Sequence, residues 1–173
     1  MEKTDIDPLL LHLIDTNFSI GKEQLEEGKN LVPQITLLGE GDDGVIIVPI
    51  IVADDTFESR AKHYRLPILV KSIWKQRVSE DPTLKLTAIA VLADMWMESI
   101  SIEEFQKLKA AGKWKPPSQK PNSTEVLLVQ TIVGDQEDVY IWPYVRAESG
   151  IVFATEWGKE SKIKSLFKGL WPL

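Results

Sequence analysis

The chain has 173 residues, a formal net charge of -6 and no cysteine, with 43% hydrophobic and 27% charged residues. That length favours one domain able to bury roughly 70% of its unfolded surface, so folding needs neither a disulfide nor a metal. The missing thiols exclude disulfides, thiolate catalysis and thiolate zinc sites together, and the acidic balance argues against a nucleic-acid binder, which needs clustered Lys and Arg.

Asp7-Pro8 marks a helix start, followed by Leu9, Leu10, Leu13 and Ile14 at helical spacing. Gly21 is expected to interrupt this helix near Asn17 or Ser19, leaving a second short piece over residues 22–27 that ends at Gly28. The period then changes to two. QITLLG and VIIVPIIV flank the turn GEGDDG, with Asp43-Gly44 as a hairpin signal. Pro49 demotes the second run to an edge strand or marks a bulge.

Residues 56–78 read as helix, with Asp54 or Asp55 as cap. Phe57, Ala61 and Tyr64 make one apolar stripe and Ile68, Leu69 and Ile73 another, with Pro67 between them. An interior proline costs about 3 kcal/mol, which predicts a kink, or two helices meeting near Arg65-Leu66. Residues 84–97 form the strongest strand. Ser101 to Glu104 fits a capping box and opens a short helix over residues 101–110. The loop AAGKWKPPSQKPNS leads to strands over residues 125–133, 138–146 and 151–157, with turns at Gly134-Asp135 and Ser149-Gly150, and an amphipathic helix over residues 159–170 closes the chain. Strands grouped in hairpins rather than βαβ units predict a single α+β domain over residues 1–173. Its mostly antiparallel sheet has about five to six strands, with helices packed mainly on one face.

The strongest strand carries one conspicuous acid, Asp94, just before Met95-Trp96-Met97. Strict alternation puts Leu84, Leu86, Ala88, Ala90, Leu92, Asp94 and Trp96 on one face and Lys85, Thr87, Ile89, Val91, Ala93, Met95 and Met97 on the other. Both faces are apolar through the middle, which places the strand centrally and covered on both sides, and small Ala88 and Ala90 leave room for a bulky partner such as the long helix. Asp94 then marks a strand end in contact with water or a loop amide. The sharper alternative is a carboxylate desolvated beside Trp96 and acting as general acid or base, with Glu98, His63 and Arg65 as companions. A third is a structural ion pair with Arg60, Arg65 or Arg146.

This stretch resembles a set of uncharacterised bacterial and phage proteins in which an acid, a short gap and Trp-Met close a hydrophobic strand. The counterparts here are Asp94, Trp96 and Met97, the proline loop over residues 116–121, Glu125, Arg146 and the segment 166–172, covering about half the chain. Where that pattern places arginine ahead of the glutamate, this chain has Ser123. The resemblance implies an architecture, including a short closing helix, and no activity.

Ordinary chemistries find little support. The two histidines, His12 and His63, have no second histidine at i+4 for a zinc site. GEGDDG lacks the ligand pattern of a calcium loop. No phosphate-binding glycine loop and no nucleophile elbow is present. No cofactor is called for. Most of the six tryptophans are expected in the core, while Trp114, on the proline-rich loop, is either a partner anchor or a latch packed on the sheet. Tyr140, Trp142, Tyr144 and Arg146 share one face of a strand, expected to be covered by a helix or a second subunit, and Pro143 suggests an edge there. The reading is a cytoplasmic interaction or self-association module, a possible homodimer or binder of another protein, without a membrane segment. The alternative is a small-ligand protein or enzyme with its site at the Asp94 end.

Overall fold

Asp7 accepts hydrogen bonds from the N–H groups of Leu9 at 3.0 Å and Leu10 at 3.2 Å, and Pro8 follows where a missing N–H costs nothing. Helix α1 (Pro8–Glu26) therefore starts as the sequence suggests, but it does not break at Gly21. It ends at Gly28, whose φ of 73° lets the Lys29 N–H reach the Gln24 carbonyl at 3.0 Å. The glycine expected to interrupt the helix instead brings it close to the sheet: a Cβ at Gly21 would lie 3.1 Å from Leu127 and 3.2 Å from Leu92. The computed structural model describes residues 5–52, 62–98, 102–113, 115, 120, 123–161, 163, 166–167 and 169–172.

The remaining elements are β1 (Gln34–Gly41), β2 (Gly44–Ile51), α2 (Lys62–Glu80), β3 (Lys85–Met97), α3 (Ile102–Ala110), β4 (Thr124–Val133), β5 (Gln136–Ala147), β6 (Gly150–Phe153) and β7 (Gly158–Lys159). The strands form one antiparallel sheet of seven, in the order β2-β1-β3-β4-β5-β6, with β7 also on β5. The fold is thus α+β with an antiparallel sheet, and Pro49 lies on an edge strand.

The sheet has a buried cluster on each face. Ala88, Ala90, Leu92, Leu127 and Val129 meet Leu13, Ile14, Phe18 and Leu25 of α1. Ile89, Val91, Ala93, Leu128 and Ile132 meet Leu66, Val70 and Trp74 of α2 together with Phe167 and Leu170 of the C-terminal segment. The small alanines of β3 therefore receive α1, not the helix that follows β2. Strict alternation along β3 also fails at one point. Leu38 pairs Ala88 but Gly39 pairs Leu86, so Thr87 is an extra residue. This bulge turns Leu84 and Leu86 to the α2 side, opposite Ala88. Beside it, Gly39 makes room for Trp74: a Cβ there would stand 2.6 Å from the indole.

Helix α2 runs through Pro67 as one element, so two helices do not meet at Arg65-Leu66. The caps Asp54 and Asp55, with Phe57, Arg60 and Ala61, lie outside the described residues, as do the side chains of His63 and Tyr64. The closing helix expected over residues 159–170 is absent among the described residues of that segment. Lys159 ends in β7, and the buried Gln130 side chain takes the backbone further on. Its Oε1 accepts from Leu166 N–H at 2.9 Å and Phe167 N–H at 3.2 Å. A second buried amide, Asn17, donates to the Leu13 carbonyl at 2.9 Å and accepts from Gln34 at 3.1 Å and Thr36 at 3.3 Å, tying α1 to β1.

Two substitutions test this packing. Gly21→Val should destabilise by about 1–3 kcal/mol in urea melts, because the added methyls meet Leu92 and Leu127; an unchanged midpoint would mean that α1 sits farther from the sheet. Gln130→Leu should cost about 1–3 kcal/mol and open the segment after β7 to limited proteolysis, because two backbone N–H groups lose their acceptor.

Candidate functional site

Asp94 is exposed and follows Leu92 in the alternation that faces α1. Pairing across four strands sets Trp96 opposite Glu125, Glu125 opposite Tyr144, and Tyr144 opposite Phe153. The Arg146 Nε donates to both Glu125 oxygens, at 3.0 and 2.9 Å, and a terminal nitrogen reaches the Tyr144 hydroxyl at 3.5 Å. Burial is the main reason that the Tyr144 phenol is pushed up to about 12; the charges of Glu125 and Asp94 add to it, and Arg146 opposes them. A phenol held this firmly in its protonated form donates hydrogen bonds and is no base near neutral pH.

Of the four candidates from the sequence, Glu98 and Arg65 are placed away from the Asp94 side chain. Glu98 pairs with Lys120 at 2.6 Å, both largely buried, and so ties the end of β3 to the chain leading into β4. Arg65 is exposed on α2, across the sheet from the Asp94 side chain. The side chain of His63 is outside the described residues. Asp94 stands opposite Leu127, and its charge reaches Tyr144, which also feels Glu125 and Arg146. Tyr144 and Arg146 were legible as sharing a face of one strand, but the tie to Asp94 depends on β4 lying between β3 and β5.

The aromatic face of β5 is covered by Trp157, Phe153 and, from α1, Phe18 and Lys22. Tyr140 and Tyr144 are 1% and 2% exposed, so neither offers surface to a partner. Phe18 stacks on Trp157 at 5.5 Å and meets Trp142 edge-on at 5.8 Å, and the Trp157 indole donates to Asp15 at 2.9 Å. Lys22 sits 5.3 Å over the Trp142 ring. Burial, then the nearby charge of Asp138, also raises the Tyr140 pKa, against a hydrogen bond with Thr131. Arg146 is exposed, and Trp114 lies outside the described residues.

Pro143 marks no free edge, because β6 and β7 both pair with β5 on that side. It marks the gap between them. The Ala154 N–H donates to the Pro143 carbonyl at 2.8 Å, but proline has no N–H to return. The Ala154 carbonyl takes the Trp142 indole N–H instead, at 2.7 Å.

Among the described residues β2 pairs with β1 alone. Ile46, Val48 and Ile50 pack toward α2, while Val45, Ile47 and Ile51 on the other face are 51%, 47% and 74% exposed. A groove of about 510 Å³ runs between this strand and the end of α2, lined by residues including Ile46, Val48, Asp43, Arg77, Glu80 and Asp81. The sequence named Pro49 as an edge signal, but the groove arises from the distant helix and had no local signature.

Comparison with protein-family models, curated proteins and solved structures finds no match. No helix among the described residues is long and apolar enough to cross a membrane.

The Tyr144 environment has a measurable consequence. Its folded pKa lies above the unfolded value of about 10, so protonation favours the folded state. That contribution is complete below pH about 10 and is lost as pH rises toward about 12. In an alkaline titration followed by phenolate absorbance, Tyr144 should ionise late, and Tyr144→Phe should remove that late step. Ionisation of all three tyrosines together near pH 10 would contradict the buried phenol.

Proposed function

We propose that the protein is a non-enzymatic interaction module that presents the free edge of β2 to a protein partner, either a second copy or another chain, in the cytoplasm. The observation that carries this reading is the exposed row Val45, Ile47 and Ile51 on a strand with one side open among the described residues. Apolar side chains on an unpaired strand edge are a liability unless something covers them. The acidic balance of the chain speaks for a protein rather than a nucleic-acid partner.

A second reading, a small-ligand protein or enzyme at the Asp94 end, draws on the grouping of Asp94, Tyr144, Glu125 and Arg146. Glu125 and Arg146 answer each other there, which favours a structural role.

Two measurements separate the readings. Native and denaturing mass spectra of the purified chain should differ by no small molecule; mass lost on denaturation would overturn the interaction reading in favour of a ligand site. Ile47→Lys and Ile51→Lys should each shift stability by no more than about 0.5 kcal/mol, since neither side chain belongs to the core. A loss of several kcal/mol would show that the row holds the fold together rather than serving a partner.

A further inference from the structure

We infer that the free edge of β2 takes an extended peptide segment with apolar side chains at alternate positions and a basic residue at one end, bound as an added strand over the groove beside α2. This rests on the interaction reading above and specifies its occupant.

The direction of the backbone groups comes from one bond. The Val52 N–H donates to the Pro33 carbonyl at 3.3 Å, one step beyond the Gln34–Ile51 pair. In an antiparallel ladder, alternate residues turn their N–H and C=O to the same neighbour. Ile50, Val48 and Ile46 therefore turn to β1 with Val52, and Ile51, Pro49, Ile47 and Val45 turn to the open side. The missing N–H of Pro49 falls on that side, so the ladder with β1 loses nothing. The open row still carries the N–H groups of Val45, Ile47 and Ile51 and the carbonyls of all four residues.

A strand added there lies about 4.8 Å beyond β2, and its side chains alternate between the two faces. One set enters the groove floored by Ile46 and Val48. The other extends the exposed row Val45, Ile47 and Ile51. This is recognition by strand addition, with main-chain bonds for affinity and alternate side chains for selectivity.

Charge decides between occupants. Among the described residues lining the groove, Asp43, Glu80 and Asp81 face one cation, Arg77, which is itself paired with Glu80 at 3.0 Å. A lysine or arginine at the end of the incoming segment meets this negative rim. A second copy does not suit it. Two-fold antiparallel pairing would bring Pro49 of both copies to the seam and leave bonds unmade in each.

The test is amide NMR of the full chain with the peptide Lys-Val-Thr-Val-Thr-Val-Lys, with affinity read by fluorescence anisotropy of a labelled copy. The expected result is selective shifts at Val45, Ile47, Ile51, Arg77 and Glu80. A glutamate-ended peptide should bind about fivefold more weakly, and Asp43→Lys should narrow or reverse that preference. Ile47→Pro, which removes a donor on the open side only, should abolish binding. If that variant fails to fold, the peptide N-methylated at alternate residues asks the same question of the intact chain. Shifts elsewhere, or binding indifferent to both end charge and N-methylation, overturn the inference. Concentration-dependent shifts of the same β2 amides without peptide would overturn the peptide occupant in favour of a second copy and leave the interaction reading standing. Silence of β2 under both conditions would overturn both.

Discussion

β3 has no polar face, and the rest of the structure is arranged around that. Residues 88–93 are buried on both sides, so the strand must lie inside the sheet and the sheet must be covered twice. One cover is α1. The other is α2 with the C-terminal segment, carrying Trp74, Phe167 and Leu170. Each helix comes close enough because a glycine stands at the crossing, Gly21 within α1 and Gly39 on β1 beneath Trp74. The same residue type thus does two opposite things on paper, weakening a helix and a strand, to make one thing possible in space: helices seated on a sheet that is apolar on both sides.

Covering both faces creates a polar problem, since buried backbone and amide groups need partners. Long-range side chains supply them. Gln130 gives the C-terminal segment the acceptor that a neighbouring strand would have provided. Asn17 joins α1 to Gln34 and Thr36 on β1. Trp142 returns to Ala154 the hydrogen bond that Pro143 cannot. Each of these fixes how one layer sits on the next, which apolar contact alone leaves open.

These are also the places where reading the sequence stops short. β1 to β5, their hairpin order and the edge position of β2 follow from period, turn residues and Pro49, which are local; the strand expected over residues 151–157 ends at Phe153, and β7 lies where a helix was expected to begin. The continuity of α1 is not legible locally, because a glycine in a helix looks like an interruption until the side chains it approaches, 71 and 106 residues further on (Leu92 and Leu127), are known. The bulge at Thr87 is hidden because the residues on either side of it form one unbroken alternation in sequence. The amphipathic pattern near the end of the chain suggests a helix, whereas the backbone of Leu166 and Phe167 is held by Gln130. At the Asp94 end, the acid was legible but its neighbours were not. Tyr144, Glu125 and Arg146 come from strands whose order no single stretch reveals, while Glu98, Arg65 and His63, near in sequence or suggestive in type, are placed by other elements.

The two ends of the sheet are treated differently, and that contrast bears on what the molecule is for. At the β5 end, two short strands and an indole close the gaps that proline makes. At the β2 end, proline sits so that its missing donor faces outward, which blunts pairing by a like strand without weakening the sheet. Were that edge only a hazard to be suppressed, charged side chains would guard it best. Instead the exposed face of β2 is Val45, Ile47, Pro49 and Ile51, and the acids are confined to its approaches. An edge that keeps its carbonyls, its apolar row and a groove beside it is what the proposed strand addition would use, and on that proposal the charge at its rim would set the choice of chain.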